Sequence, residues 1–128
     1  MPIDLNHTIV HSRSREESAA FLADLFGLEV GPPYGPFLPV STSNGVALDY
    51  LTVGADAEIA IQHYAFLVSE EEFDEIWGRI KDQGITYYPE PFLQSENQIN
   101  HNDGGRGLYF LDPSGHGMEI ITVPYGGW

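Results

Sequence analysis

Four side chains of metal-binding types, His7, Asp49, His63 and Glu119, occupy matching places in a chain that repeats itself. The run Asn44-Gly45-Val46-Ala47-Leu48-Asp49-Tyr50-Leu51-Thr52-Val53 aligns with Ser114-Gly115-His116-Gly117-Met118-Glu119-Ile120-Ile121-Thr122-Val123, which puts Asp49 on Glu119. Upstream, His7 aligns with His63. Each histidine opens a strand-like run, and a helix signal follows each run. A doubled module with an imidazole at its start and a carboxylate at its end can focus nitrogen and oxygen donors on one point. Such donors suit Fe(II), Mn(II), Zn(II) and Ni(II), and two His with one carboxylate is the donor set of non-haem Fe(II) oxygenases. The bland alternative is a pair of satisfied strand histidines and two solvated acids. Against it, Glu119 shares its strand face with Ile121 and Val123, where a carboxylate without a partner is costly. His11 shares the face of His7 but lies about 13 Å further along the strand, too far to serve the same ion.

The elements that must position these groups are legible as two rounds of one pattern. Ile3 to His11 alternates as a strand. Ser14-Arg15-Glu16-Glu17 reads as a capping box, and Ser18, Phe21, Leu22, Leu25 and Phe26 recur at helical spacing up to a stop at Gly27. A loop or irregular edge at 31–36 leads to strands at Phe37 to Ser41 and Val46 to Val53. The pattern restarts with a strand at Ile59 to Val68, a second capping box at Ser69 to Glu72, a stripe of Phe73, Ile76, Trp77 and Ile80, and a stop at Gly84. A short strand begins at Ile85 to Tyr88. The polar stretch from Gln94 to Gly107 has no counterpart in the first half. Strands at Leu108 to Leu111 and Met118 to Val123 close the round, and Tyr125 to Trp128 is an apolar, Gly-rich tail.

The expected class is α+β: one domain over residues 1–128, built from two βαβββ modules at about 3–54 and 59–124. Their pairing about a pseudo-twofold axis would make a curved, metal-lined mixed sheet with helices on one side. Hydrophobic content of 42% argues against disorder. No apolar run approaches the roughly 20 residues that span a bilayer, and the N-terminus has neither the basic nor the apolar region of a signal peptide. The chain has no cysteine, so disulfides, thiolate ligands and a thiol nucleophile are excluded, and a reducing cytoplasm is the expected location. A net charge of −14 repels phosphate backbones and anionic lipid, so neither nucleic acid nor a membrane is an expected partner.

With "LNHTIVHS" at the start, "QHYAFLVS" at the restart and "GRGLYFLDPSGHGMEIIT" at the end, the chain resembles the vicinal oxygen chelate superfamily (glyoxalase/bleomycin resistance protein/dioxygenase) over residues 3–124. The resemblance implies paired βαβββ modules around a metal-lined cleft, with His7, His63 and Glu119 as ligands. A local run, Ile99-Asn100-His101, six residues, Leu108-Tyr109, two residues, Asp112-Pro113-Ser114-Gly115, three residues, Glu119, resembles the signature of type I extradiol ring-cleaving dioxygenases. By that likeness His101 and Tyr109 contact substrate or oxygen. In glyoxalase I and related epimerases a Glu or Gln near the place of Asp49 is a ligand or base, and Asp49 could take that part. Arg106 either binds an anionic substrate group or pairs with a surface acid.

These readings imply a metal-dependent enzyme that cleaves a catechol-like or other vicinal-oxygen substrate with oxygen, using Fe(II) or Mn(II). A sibling reading is isomerase or lyase chemistry with Asp49 or Glu119 as base and Zn(II), Ni(II) or Co(II) as the metal. A non-catalytic antibiotic-binding protein is the third. The expected partners are a small-molecule substrate and a second copy of the chain.

Overall fold

A computed structural model describes residues 2–127, so Met1 and Trp128, the last residue of the expected tail, lie outside the described residues. The chain divides into two compact units, Met1–Ala60 and Ile61–Trp128. The first contains β1 (His7–Ser12), α1 (Arg15–Phe26), β2 (Phe37–Ser41) and β3 (Ala47–Thr52); the second contains β4 (His63–Leu67), α2 (Glu70–Asp82), β5 (Gly107–Leu111) and β6 (Gly117–Ile121). Each unit is a three-stranded mixed sheet, in the orders β1-β3-β2 and β4-β6-β5. In each the central strand pairs parallel with the first and antiparallel with its hairpin neighbour. The remaining strand of a βαβββ pattern is reduced to a single bridge, Val30 to Val40 in one unit and Tyr88 to Tyr109 in the other. No helix among the described residues is long and apolar enough to cross a membrane.

Register carries the sequence repeat into three dimensions. His7 pairs with Ala47, and Ile9 with Asp49. His63 pairs with Gly117, and Ala65 with Glu119. Each histidine therefore stands beside a small residue two positions before the carboxylate, on the carboxylate's face of the sheet.

Both expected strands over-reach at their starts. Residues 3–6 and 59–62 alternate in sequence but form no strand. In each unit the parallel ladder begins at the first residue after a hairpin turn, Ala47 or Gly117, so no partner strand exists beyond it. The Ile85 to Tyr88 strand contracts to the Tyr88 bridge for the same reason: only Tyr109 is opposite to pair with it.

The helices begin and end as their sequences dictate. Ser14 accepts from the Glu17 N–H, and Gly27 closes α1 in the left-handed region, at φ 68°. Only the serine half of that first box forms. Ser69 and Glu72 complete the second box in both directions. α1 buries Ser18, Ala19, Leu22, Ala23 and Leu25, so small Ala19 and Ala23 take the deep positions expected of Phe21 and Phe26. α2 buries Phe73, Ile76 and Ile80 as expected and leaves Trp77 half-buried. The first core contains Val10, Val40, Leu48 and Tyr50; the second contains Leu108, Phe110, Met118 and Ile120.

Candidate functional site

The second unit joins two of the expected ligands. His63 Nε2–H donates to Glu119 Oε1 at 2.8 Å. Glu119 has no exposed surface, whereas the His63 side chain is half-exposed. The other carboxylate oxygen, Oε2, accepts from the Tyr125 hydroxyl. Tyr109 Oη lies 2.9 Å from Tyr125 Oη. The proton of Tyr125 is committed to the carboxylate, so Tyr109 is the donor in that second contact. Burial first, and the neighbouring phenol and carboxylate after it, push the Tyr109 hydroxyl well above the usual phenol range. Burial and then Glu119 push Tyr125 upward as well. Both phenols are thus held neutral and can act only as hydrogen-bond donors and acceptors.

A buried carboxylate normally needs a cation, and among the described residues the partners of Glu119 are an imidazole and a phenol. The five basic residues are engaged elsewhere. Arg13 reaches the carbonyls of Gly54 and Ala55, Arg15 pairs with Glu16, and Arg79 with Glu75. Lys81 stands over Trp77. Arg106 donates from Nε to Glu70 and from Nη1 to Asp74, each at 2.8 Å, which makes it a clamp on α2 rather than a substrate ligand. His63 Nε2 and Glu119 Oε1 share the one proton that a divalent cation would replace, and hard oxygen with imidazole nitrogen is the right chemistry for it. These residues fit a metal.

Beside the pair is an apolar cavity of about 530 Å³, whose walls include Ile61, His63, Leu93, Tyr109 and Leu111. Neither Lys nor Arg lines it. The His63 and Tyr109 rings face one another there, with centroids 5.7 Å apart.

His7 is exposed on β1 in the first unit, with its Nδ1 2.7 Å from Asn6 Oδ1. That contact puts the ring hydrogen on Nδ1 and leaves Nε2 as the donor atom for a metal. Asp49 is half-buried on β3, opposite Ile9 and Pro39. His101 is exposed at the start of a 3-10 turn, Asn102–Gly104. That turn packs against the Tyr125–Gly127 turn, which ties the loop of His101 to the rim of the Glu119 network. Among the described residues, no group of three or more His, Asp and Glu side chains gathers around one point. Tyr125 escaped sequence reasoning, because it belongs to a short turn beyond the last alternating residue. The available signal was an aromatic residue six positions after a buried carboxylate.

No protein-family model matches the chain. Among solved structures it is similar to the oxidase ChaP-H2, with 57% identity, coverage of 99% of this chain and 98% of that one, and a TM-score of 0.95. It is also similar to the oxidase ChaP-H1, with 50% identity, coverage of 98% and 100%, and a TM-score of 0.92. Among curated proteins, the glutathione transferase FosA of Serratia marcescens is 28% identical over 91% of this chain and 78% of its own length.

Proposed function

This chain belongs to the vicinal oxygen chelate superfamily, and from that premise we propose that it is a metal-dependent oxidase that cleaves a catechol-like or other vicinal-oxygen substrate with dioxygen. The observation that carries the proposal is the His63–Glu119 pair, a buried carboxylate and an imidazole sharing one proton at the wall of an apolar cavity. The similarity to two proteins named as oxidases supports it. His63 and Glu119 are two ligands, and His7 of a second copy of the chain is the third. When bound, Fe(II) or Mn(II) supplies Lewis acidity for two adjacent substrate oxygens and electrons for oxygen chemistry. Tyr125 fixes the free carboxylate oxygen, so Glu119 presents Oε1. Tyr109 gives its proton to Tyr125, so its own lone pairs remain to accept a substrate hydroxyl. The apolar walls exclude water from that contact. His101, from the loop at the rim, and Asp49 are the proposed proton carriers.

A transferase or isomerase reading has the FosA similarity in its favour. The cavity weighs against it, because glutathione brings carboxylates and no Lys or Arg lines the cavity to meet them. Oxygen uptake decides between them. Protein purified with Fe(II) should consume oxygen with a catechol-type substrate and stop under anaerobic conditions. His63→Ala and Glu119→Ala should each lose bound metal. Turnover that continues without oxygen would leave the isomerase or transferase reading, and full metal occupancy in His63→Ala would remove the ligand assignment.

A further inference from the structure

The two histidines at the matched repeat positions behave differently, and the residues beneath them explain why. In both units the backbone at this point is the same. Gly117 N–H donates to Gln62 O at 2.9 Å, and Ala47 N–H donates to Asn6 O at 2.9 Å. Yet His63 reaches its carboxylate, whereas His7 turns to its neighbour Asn6.

Besides the shorter reach of Asp49 compared with Glu119, two substitutions between the repeats separate the cases. Gly117 stands where the first unit has Ala47. A Cβ built on Gly117 would lie 3.3 Å from His63 Nδ1, a tight contact that the imidazole would have to relieve by moving a few tenths of an ångström. The bare glycine therefore leaves the floor on which the imidazole lies as it crosses from β4 toward Glu119. Next to it, His116 stands where the first unit has Val46. Its ring is fully buried and its Nδ1 accepts from the Gln62 N–H at 3.0 Å. Valine offers no such acceptor. His116 is held in turn by its own N–H, donated to Asp112 Oδ1 at 2.9 Å, and by an edge contact with the Tyr64 ring. The residue immediately before His63 is thus pinned to the β5–β6 turn by a side chain, and the first unit lacks that pin.

We propose that His116 and Gly117 are the positioning residues of His63: one fixes the backbone that carries the imidazole, the other vacates the space it occupies. The proposal rests on the reading of His63 as a ligand. Neither residue touches the reacting groups; both act through His63. Partners of this kind typically change metal affinity about 10- to 100-fold.

The test is Mn(II) affinity of metal-free protein, read beside thermal stability and amide hydrogen exchange at Gln62. His116→Asn keeps an acceptor at the place of Nδ1 and should keep near-wild-type Mn(II) affinity and Gln62 protection. His116→Gln puts its amide at the place of Nε2, and His116→Leu has no acceptor. Both should expose the Gln62 amide and weaken Mn(II) binding about 10- to 100-fold. Gly117→Ala should weaken Mn(II) binding with the Gln62 amide still protected, since the φ at Gly117 is not positive and alanine fits the backbone. His116→Gln or Gly117→Ala binding Mn(II) as tightly as wild type would overturn the proposal, as would His116→Asn failing like His116→Gln. Should His116→Leu not fold, the asparagine, glutamine and alanine variants still decide. The ligand reading fails separately, through a His63→Ala variant that retains metal.

Discussion

At the scale of single residues, the cost of burying Glu119 is met by Tyr125. Removing that hydroxyl leaves Oε2 without its donor and takes away the acceptor of Tyr109. Tyr125 is itself half-exposed, so water can partly replace it, and Tyr125→Phe should cost about 1 kcal/mol of stability. Loss of the group that orients Glu119 should weaken metal binding about tenfold or more, readable by Mn(II) titration. The pH dependence has a definite sign. Folding raises both phenols, first through burial, so the unfolded chain ionises at lower pH than the native one. Their contribution is fully present below the ordinary phenol value of about 10 and is lost as pH rises beyond it. Wild type should therefore lose stability in alkaline circular-dichroism melts above that value, and Tyr125→Phe should lose less. Alkaline profiles that coincide would show that the network does not couple to folding. At this scale the sequence showed the His63–Glu119 pair, because repeat position and strand parity are both one-dimensional. It hid Tyr125, whose role depends on a turn folding back over the sheet.

At the scale of elements, the second unit has two devices that fix α2. The capping box at Ser69 satisfies the first N–H groups of the helix. Ser69→Ala should cost about 1 kcal/mol, seen as a melting temperature lower by a few degrees with metal affinity unchanged. The second device is Arg106, whose guanidinium spans Glu70 and Asp74 and lies 4.5 Å from the Phe73 ring centre. A hydrogen bond from Thr122, then Arg106, holds the Glu70 carboxyl below its usual range, and Arg106 does the same for Asp74. Depressed carboxyls contribute above their unfolded values and lose that contribution as pH falls through the folded ones. Arg106→Gln should lower the melting temperature at neutral pH, and the difference from wild type should shrink toward acid. Activity falling while stability holds would instead return Arg106 to the substrate. Helix starts and stops were legible because caps are local chemistry: Ser69, Glu72 and Gly27 act within a turn of themselves. Strand limits were not. The alternation of residues 3–6 and 59–62 says nothing about whether a partner strand runs beside them. Phe21 and Phe26 fit the helical period, but packing against a sheet favoured the smaller Ala19 and Ala23 at closest approach.

At the scale of the molecule, the first strand of each unit has one bare side, whereas β5 and β6 are buried on both. On β1 the buried residues are Val10 and Ser12, and His7, Ile9 and His11 are exposed. On β4, His63, Ala65 and Leu67 are exposed, and Ile61 and Leu111 add to the bare apolar surface of that unit. The apolar side of β4 calls for a partner, and the one expected here is a second copy of the chain. With a net charge of −14 on each copy, repulsion opposes association. The dimer should therefore tighten as salt screens it, which sedimentation at two ionic strengths would show. His7 presents its Nε2 on the bare side of β1, and Glu119 with His63 has no third His, Asp or Glu gathered beside it among the described residues. If copies exchange ligands, two inactive variants must complement. A His7→Ala chain retains His63 and Glu119, and a Glu119→Ala chain retains His7. Each homodimer should be empty of metal and inactive. A heterodimer isolated with two different tags should regain one intact centre, and hence about half the wild-type metal content and oxygen uptake. If His7 instead serves the Glu119 of its own chain, both centres of that heterodimer are broken, and it should be as inactive as its parents.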